Sequence, residues 1–221
     1  MSLNANQFTT DKVRLSYVHL NQPHSSAPDG SNPKYGVTVL LPKSDVATKA
    51  RLDAAYQAAV NAGVMAKWNG VMPPKIESPI YDGDGVRPNG EPFGAECKGH
   101  WVFTAGNKNP VPIVDINQNP IVNANDVYSG MYARVCVSFY AYNFTGKRGI
   151  GCGLEAVQKL EDGEPLGSHV SAADAFGGAN AYTSAATPAV SNPVRSQGYE
   201  QQAAPQYAAV DPITGQPIYG V

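Results

Sequence analysis

Charge is what this sequence has least of. Asp, Glu, Lys and Arg make up 15% of its 221 residues, against roughly a quarter in an ordinary globular protein. Sixteen Lys and Arg set against 18 Asp and Glu leave a net charge of -2. That balance excludes a protein that gathers a polyanion through its global field, so any polyanion must be held by a local patch. Cysteine is also scarce. Cys97, Cys136 and Cys152 are odd in number and widely spaced, with no Cys-x-x-Cys, which argues against a disulfide framework or a structural zinc site and for free thiols in a reducing compartment. No apolar run approaches the roughly 18 residues of a membrane span, and MSLNANQFTTDKVRLSY lacks the basic flank and apolar stretch of a secretory signal. The expectation is a cytoplasmic protein without membrane contact.

Catalytic patterns are missing as well. His19, His24, His100 and His169 are scattered, and no Ser-His-Asp, Cys-His or paired-carboxylate spacing is present. Gly149-x-Gly151-x-Gly153 has the wrong spacing for a dinucleotide fingerprint and opens a strand rather than a helix. Asp82-Gly83-Asp84-Gly85 begins like a calcium loop, but Val86 stands at position five and Phe93 at position twelve, so it reads as a Gly-rich turn. No enzyme activity, cofactor or metal is expected.

What is present is turn-forming and β-forming material: 22 Gly, 18 Pro and 12 Tyr. Composition changes after Phe176. Of the 45 positions from 177 to 221, 24 are Ala, Gly, Pro or Gln, and none is Leu, Phe or Trp. With no Leu, Phe or Trp to bury and only Arg195, Glu200 and Asp211 charged, this segment is expected to be a disordered tail, leaving residues 1–176 as the folded domain.

Within that domain, alternating apolar residues predict strands at Val13 to Leu20 and Lys34 to Leu41, paired as a hairpin across a Pro- and Asp-Gly-containing loop. Ser44 and Asp45 start the one clear helix, with Leu52, Tyr56, Ala59 and Gly63 along one face. Asn69 to Lys98, crowded with Pro and Gly, reads as a mobile surface excursion, and His100 to Gly106 and Val111 to Ile116 return to strand character. The most informative run begins at Met131. Its odd positions, Met131, Ala133, Val135, Val137, Phe139 and Ala141, form an apolar face. A strand this long, on the order of 45 Å at 3.3 Å per residue, is expected to bend, as strands do around a small barrel. Gly146 to Gly149 reads as a tight basic turn into the returning strand.

The even positions then point outward: Tyr132, Arg134, Tyr140 and Tyr142, followed by Lys147 and Arg148. Flat π surfaces beside cations suit a single-stranded nucleic acid, whose bases stack on rings at about 1–3 kcal/mol each while Arg and Lys follow the phosphates. β propensity and packing alone also place Tyr on half-exposed strand faces. Arg14, Tyr17 and His19, then Lys34, Tyr35 and Lys43, extend the candidate platform, whereas Trp101 and Phe103, two apart on an apolar face, favour the core.

KYGVTVLLPKSD, YSGMYARVCVSFYAYN and GKRGIGCGLEAVQKLEDGEPLG, in that order and followed by AADAFG, resemble the signature segments of a family of bacteriophage-encoded single-stranded-DNA-binding proteins. The resemblance spans nearly all of residues 8–177. It implies an OB-fold, a five-stranded Greek-key barrel with a helix and long loops. It also implies binding of single-stranded DNA without strong sequence preference in phage replication, recombination and repair. It carries over at Lys34, Tyr35, Lys43, Tyr132, Arg134, Tyr140, Tyr142, Lys147 and Arg148. The tail departs from the acidic ending usual in such proteins. Pro217-Ile218-Tyr219 is either a docking tip for phage replication or recombination proteins or part of an inert tether. The alternative from another class is a virion or assembly protein whose Tyr face and tail make protein contacts. Oligomerisation through open strand edges stays open.

Overall fold

The computed structural model describes residues 3–25 and 27–167. The chain divides into Met1–His169 and Val170–Val221; the expected tail, with its Pro217 to Tyr219 tip, lies outside the described residues.

The elements run β1 (Gln7–Thr9), β2 (Val13–His24), β3 (Lys34–Pro42), α1 (Val46–Ala66), β4 (Ile80–Asp82), β5 (His100–Asn107), β6 (Ile113–Val114), β7 (Tyr132–Phe144) and β8 (Lys147–Glu161). β2 pairs β3, β3 pairs β5 and β7 pairs β8, all antiparallel. β5 runs parallel to β8 where Gly106 meets Gly153, and β7 returns to β2 at Val13 and Ala133. The order β2-β3-β5-β8-β7 therefore closes on itself, which is the expected five-stranded Greek-key OB barrel. β1, β4 and β6 are short additions to β7, β5 and β8.

Strand alternation sorts inside from outside. On β7 the odd residues from Met131 to Phe139 are all buried, together with Val37, Val39 and Leu41 of β3 and Phe103 and Ala105 of β5. α1 packs against this core. The Asp45 carboxylate caps it by accepting from the Thr48 N–H, an interaction that stabilises a helix start by about 1 kcal/mol. Leu52, Ala55 and Ala59 are buried along its inner face. Tyr56 meets Phe139 edge-on at 6.0 Å, and Phe8 of β1 stacks on the same ring at 6.2 Å. The register of β7 on β8 slips between Cys136 and Val137, where β8 uses one residue more than β7, a bulge of the kind that lets long strands curl.

Three expectations are corrected. The stretch Asn69 to Lys98 is not merely an excursion, since β4 pairs with β5 and Phe93 and Cys97 pack over Leu40 and Val102. The reason is visible in β3, where Leu40 is apolar on the outer face and needs a cover. The strand expected from Val111 to Ile116 shortens to Ile113–Val114, because Asp115 turns its carboxylate onto the Asn117 and Asn119 N–H groups. The turn joining β7 to β8 is Thr145-Gly146, both with positive φ (47° and 79°). Two such residues match the right-handed twist of a hairpin, so Lys147 and Arg148 begin β8 instead of forming the turn.

Candidate nucleic-acid interface

The outer faces of β3, β5 and β8 carry Gly36, Thr38, Thr104, Gly106 and Gly151, which leave the barrel wall nearly bare. Over them lies a cleft of about 770 Å³, walled by Tyr140 on one side and by Tyr17, His19, His24 and Lys34 on the other. The glycines on β8 are required by the rings beside them. A Cβ on Gly151 would sit 2.5 Å from Tyr140 Cζ, and one on Gly149 would sit 2.5 Å from the Tyr142 hydroxyl. Gly149-x-Gly151-x-Gly153 is thus a strand face that seats the rings of β7. Tyr140 pairs with Gly151 and Tyr142 with Gly149.

The opposite wall comes from irregularity in β2. Between Ser16 and His19 the strand uses one residue more than β3, and between His19 and His24 it uses three more. The first bulge puts Tyr17 at φ 47°, left-handed for a bulky residue, with its ring 58% exposed. Such backbone strain persists where surrounding contacts enforce it and recurs at binding sites. The second bulge brings His19 and His24 face to face, ring centroids 4.3 Å apart and 15° from parallel. Tyr17, Thr38 and Thr104 also line a second cleft of about 450 Å³, which continues past Tyr81, Phe93 and Arg87. The Arg87 guanidinium stands 5.5 Å from the Phe93 ring centre.

Charge pairing is uneven. Lys12, Lys43, Lys49, Arg51, Lys75 and Lys159 are all paired with carboxylates. Among the described residues no carboxylate pairs with Lys34, Lys147 or Arg148, and no Asp or Glu lines the larger cleft. Lys67, Lys98 and Lys108 also stand outside any ion pair among the described residues. Burial first, then Cys152 and Tyr142, raises the Tyr140 phenol above its ordinary value. Burial first, then the neighbouring His24, lowers His19.

The sequence-predicted residues separate into groups. Lys34 and Tyr140 line the larger cleft, and Tyr142, Lys147 and Arg148 follow on the same hairpin beside the exposed Phe144. Tyr132 and Arg134 lie at the other end of β7. Lys12 Nζ sits 5.2 Å from the Tyr132 ring centre and is itself bound to Glu161, while Arg134 Nε donates to the Thr10 carbonyl. Tyr35 shares the parity of Val37 and Val39 rather than of Lys34, opposite Asn107. Lys43 bridges Asp82 and Asp84 and stands 5.2 Å from the Trp101 ring centre. The Asp-Gly-Asp-Gly turn thus already holds a cation, that of Lys43. Residues not singled out from sequence are His24, Tyr81, Arg87 and Phe93. An alternation that breaks at Ser16-Tyr17 is the available signal for the bulge.

Among the described residues no group of three His, Cys, Asp or Glu is placed to hold a metal ion. Cys97 and Cys152 are free and buried, and burial pushes the Cys97 thiol up to about 11. No helix among them is long and apolar enough to cross a membrane.

Comparison with known proteins finds a family and several relatives that this chain resembles. The family described as "Enterobacter phage Enc34, ssDNA-binding protein" matches residues 6–186. The solved single-stranded DNA-binding protein of bacteriophage Enc34 in complex with ssDNA is similar, with 25% identity and a TM-score of 0.62 over 73% of this chain and 90% of that one. Its C-terminal truncation gives 25% identity and a TM-score of 0.60 over 73% and 88%. Putative protein p50 of Acyrthosiphon pisum secondary endosymbiont phage 1 is 28% identical over 177 residues, 75% of this chain and 90% of its own length.

Proposed function

The chain belongs to the Enterobacter phage Enc34 ssDNA-binding protein family, and from that premise we propose that it is a non-enzymatic phage protein that coats single-stranded DNA in the host cytoplasm during replication, recombination and repair. The carrying observation is the glycine-floored cleft, in which exposed Tyr17 and Tyr140 face each other across bare strand backbone and Lys34 is left without a carboxylate. Unstacked bases enter such a trough where paired ones do not, because a duplex keeps its π faces inside. Tyr140, Tyr142 and Tyr17 supply stacking surface, and Lys34, Lys147 and Arg148 supply phosphate contacts. Tyr132, Arg134, Tyr35 and Lys43 hold the barrel together. Residues 1–176 form the binding domain in this reading, and 177–221 its tail, which meets phage replication or recombination proteins.

The test is one gel with labelled single-stranded DNA, duplex and RNA, each with and without magnesium. Retarded and uncut single strand is expected in both conditions. Cleavage that depends on magnesium, or no retardation of any single strand, overturns the reading.

A further inference from the structure

We propose that the stacked His19–His24 pair is a proton-linked phosphate subsite, so that the cleft takes up a proton when it takes up single-stranded DNA. This rests on the function proposed above and deepens it. The second β2 bulge brings the pair together. His19 pairs with Gly36 and His24 with Lys34, so the chain between them loops out and the two imidazoles close on each other at 4.3 Å. Both line the larger cleft beside Lys34, its one permanently charged cation among the described residues.

The groups facing the pair are few. Lys34 comes from β3, Tyr17 from β2, and Tyr140 and Cys152 face it across the cleft from β7 and β8. Glu96 borders the neighbouring hollow that His19 also lines. Asp29, in the loop after β2, is turned onto the Ser31 N–H. Without DNA, no carboxylate lines the larger cleft to reward a proton on the pair. Partial burial and the second ring disfavour charge on His19, and Lys34 opposes it further. A phosphate oxygen reverses that balance, because an anion at hydrogen-bond distance favours imidazolium on whichever ring meets it. Linkage then fixes the sign. The bound state holds its proton to higher pH than the free state, so affinity is highest below both values and falls as pH rises between them.

The experiment measures affinity of the full chain for an oligo-dT by fluorescence anisotropy from pH 5.5 to 8.5 at constant ionic strength. The parent is expected to lose about tenfold in affinity between roughly pH 6 and pH 7.5, the limit for one linked proton being tenfold per pH unit. The double variant His19→Gln, His24→Gln should lose this dependence, whereas His100→Gln, whose ring faces the Lys98 carbonyl, should retain it. Because the double variant alters the cleft, imidazole proton resonances of the parent are titrated in parallel, and at least one of the pair should titrate at higher pH with oligo-dT present. Binding that is flat in pH, or a double variant with the parent's slope, overturns the proton linkage alone. No binding at any pH overturns the single-strand reading and the linkage with it.

Discussion

The two ends of β7 present the same kind of residues outward, Tyr alternating with polar positions and cations close by, and the fold treats them in opposite ways. They lie about 26 Å apart along the strand, taking eight residues at 3.3 Å each. At the Tyr132 end every charge is answered: Lys12 by Glu161, Arg51 by Asp11, Arg14 by the carbonyls of Gly130 and Glu164, and Arg134 by that of Thr10. At the Tyr140 end the rings lie over glycines, and Lys147 and Arg148 meet no carboxylate among the described residues. Residue type along a strand therefore says what a face is able to do. Whether it does so depends on what the rest of the chain places beside it.

The largest expected effect separates the two ends directly. Tyr140→Ala should weaken single-strand binding by about 1–3 kcal/mol, from several-fold to about a hundredfold, with little change in Tm, since half of that residue is already exposed. Gly151→Ala should reproduce part of this loss by forcing the same ring aside. Arg134→Ala is expected to do the reverse. It should lower stability by about 1 kcal/mol, the net contribution of such a hydrogen bond with its packing, and leave affinity within about twofold. If Arg134→Ala weakens binding as much as Tyr140→Ala, the two ends form one interface and the contrast is wrong.

A smaller effect concerns salt. Lys34, Lys147 and Arg148 as about three phosphate contacts predict a slope of log K against log salt near -2, at roughly 0.7 per contact on a single strand. The Lys147→Ala, Arg148→Ala double variant should make the slope shallower by about 1.4. A parent slope steeper than about -5 would mean that cations assigned here to ion pairs leave their partners for the DNA.

Much of the barrel is legible in the sequence, and the reason is strand parity. Once one face of β7 must be buried, a slip of one residue would expose Val135, Val137 and Phe139, so the alternation determines which way Tyr140 points. The hairpin of β2 and β3 and the helix capped by Asp45 follow from equally local rules. The opposite wall of the cleft is not legible in this way. Tyr17 and the His19–His24 pair reach it through bulges, which are mismatches between two strands and leave in β2 only the broken alternation at Ser16-Tyr17. The surroundings of Tyr35 and Lys43 are hidden for related reasons. Tyr35 shares the parity of Val37 and Val39, and Lys43 meets Asp82 and Asp84 only because β4 folds back onto β5 some forty residues later.

Lys43 supplies the smallest test, because it belongs with the answered charges despite its place among the sequence candidates. Hydrogen bonds from Lys43, more than its charge alone, hold the Asp82 and Asp84 carboxyls below their ordinary value, and the same contacts hold Lys43 above its own. For the carboxylates, lowered in the folded state, the contribution to stability is present above the unfolded value near 4 and disappears as pH falls through the folded ones. For the lysine, raised in the folded state, it is present below about 10.4 and disappears only above that. Lys43→Met should therefore lower Tm by a few degrees at most between roughly pH 5 and 9, and the difference from the parent should close by about pH 2. The cluster is exposed and screened by salt, so the effect should also shrink in high salt. Single-strand affinity should stay within about twofold of the parent. A tenfold loss of affinity at unchanged Tm would move Lys43 from the answered charges to the DNA-contacting ones, and with it the boundary between the two kinds of surface.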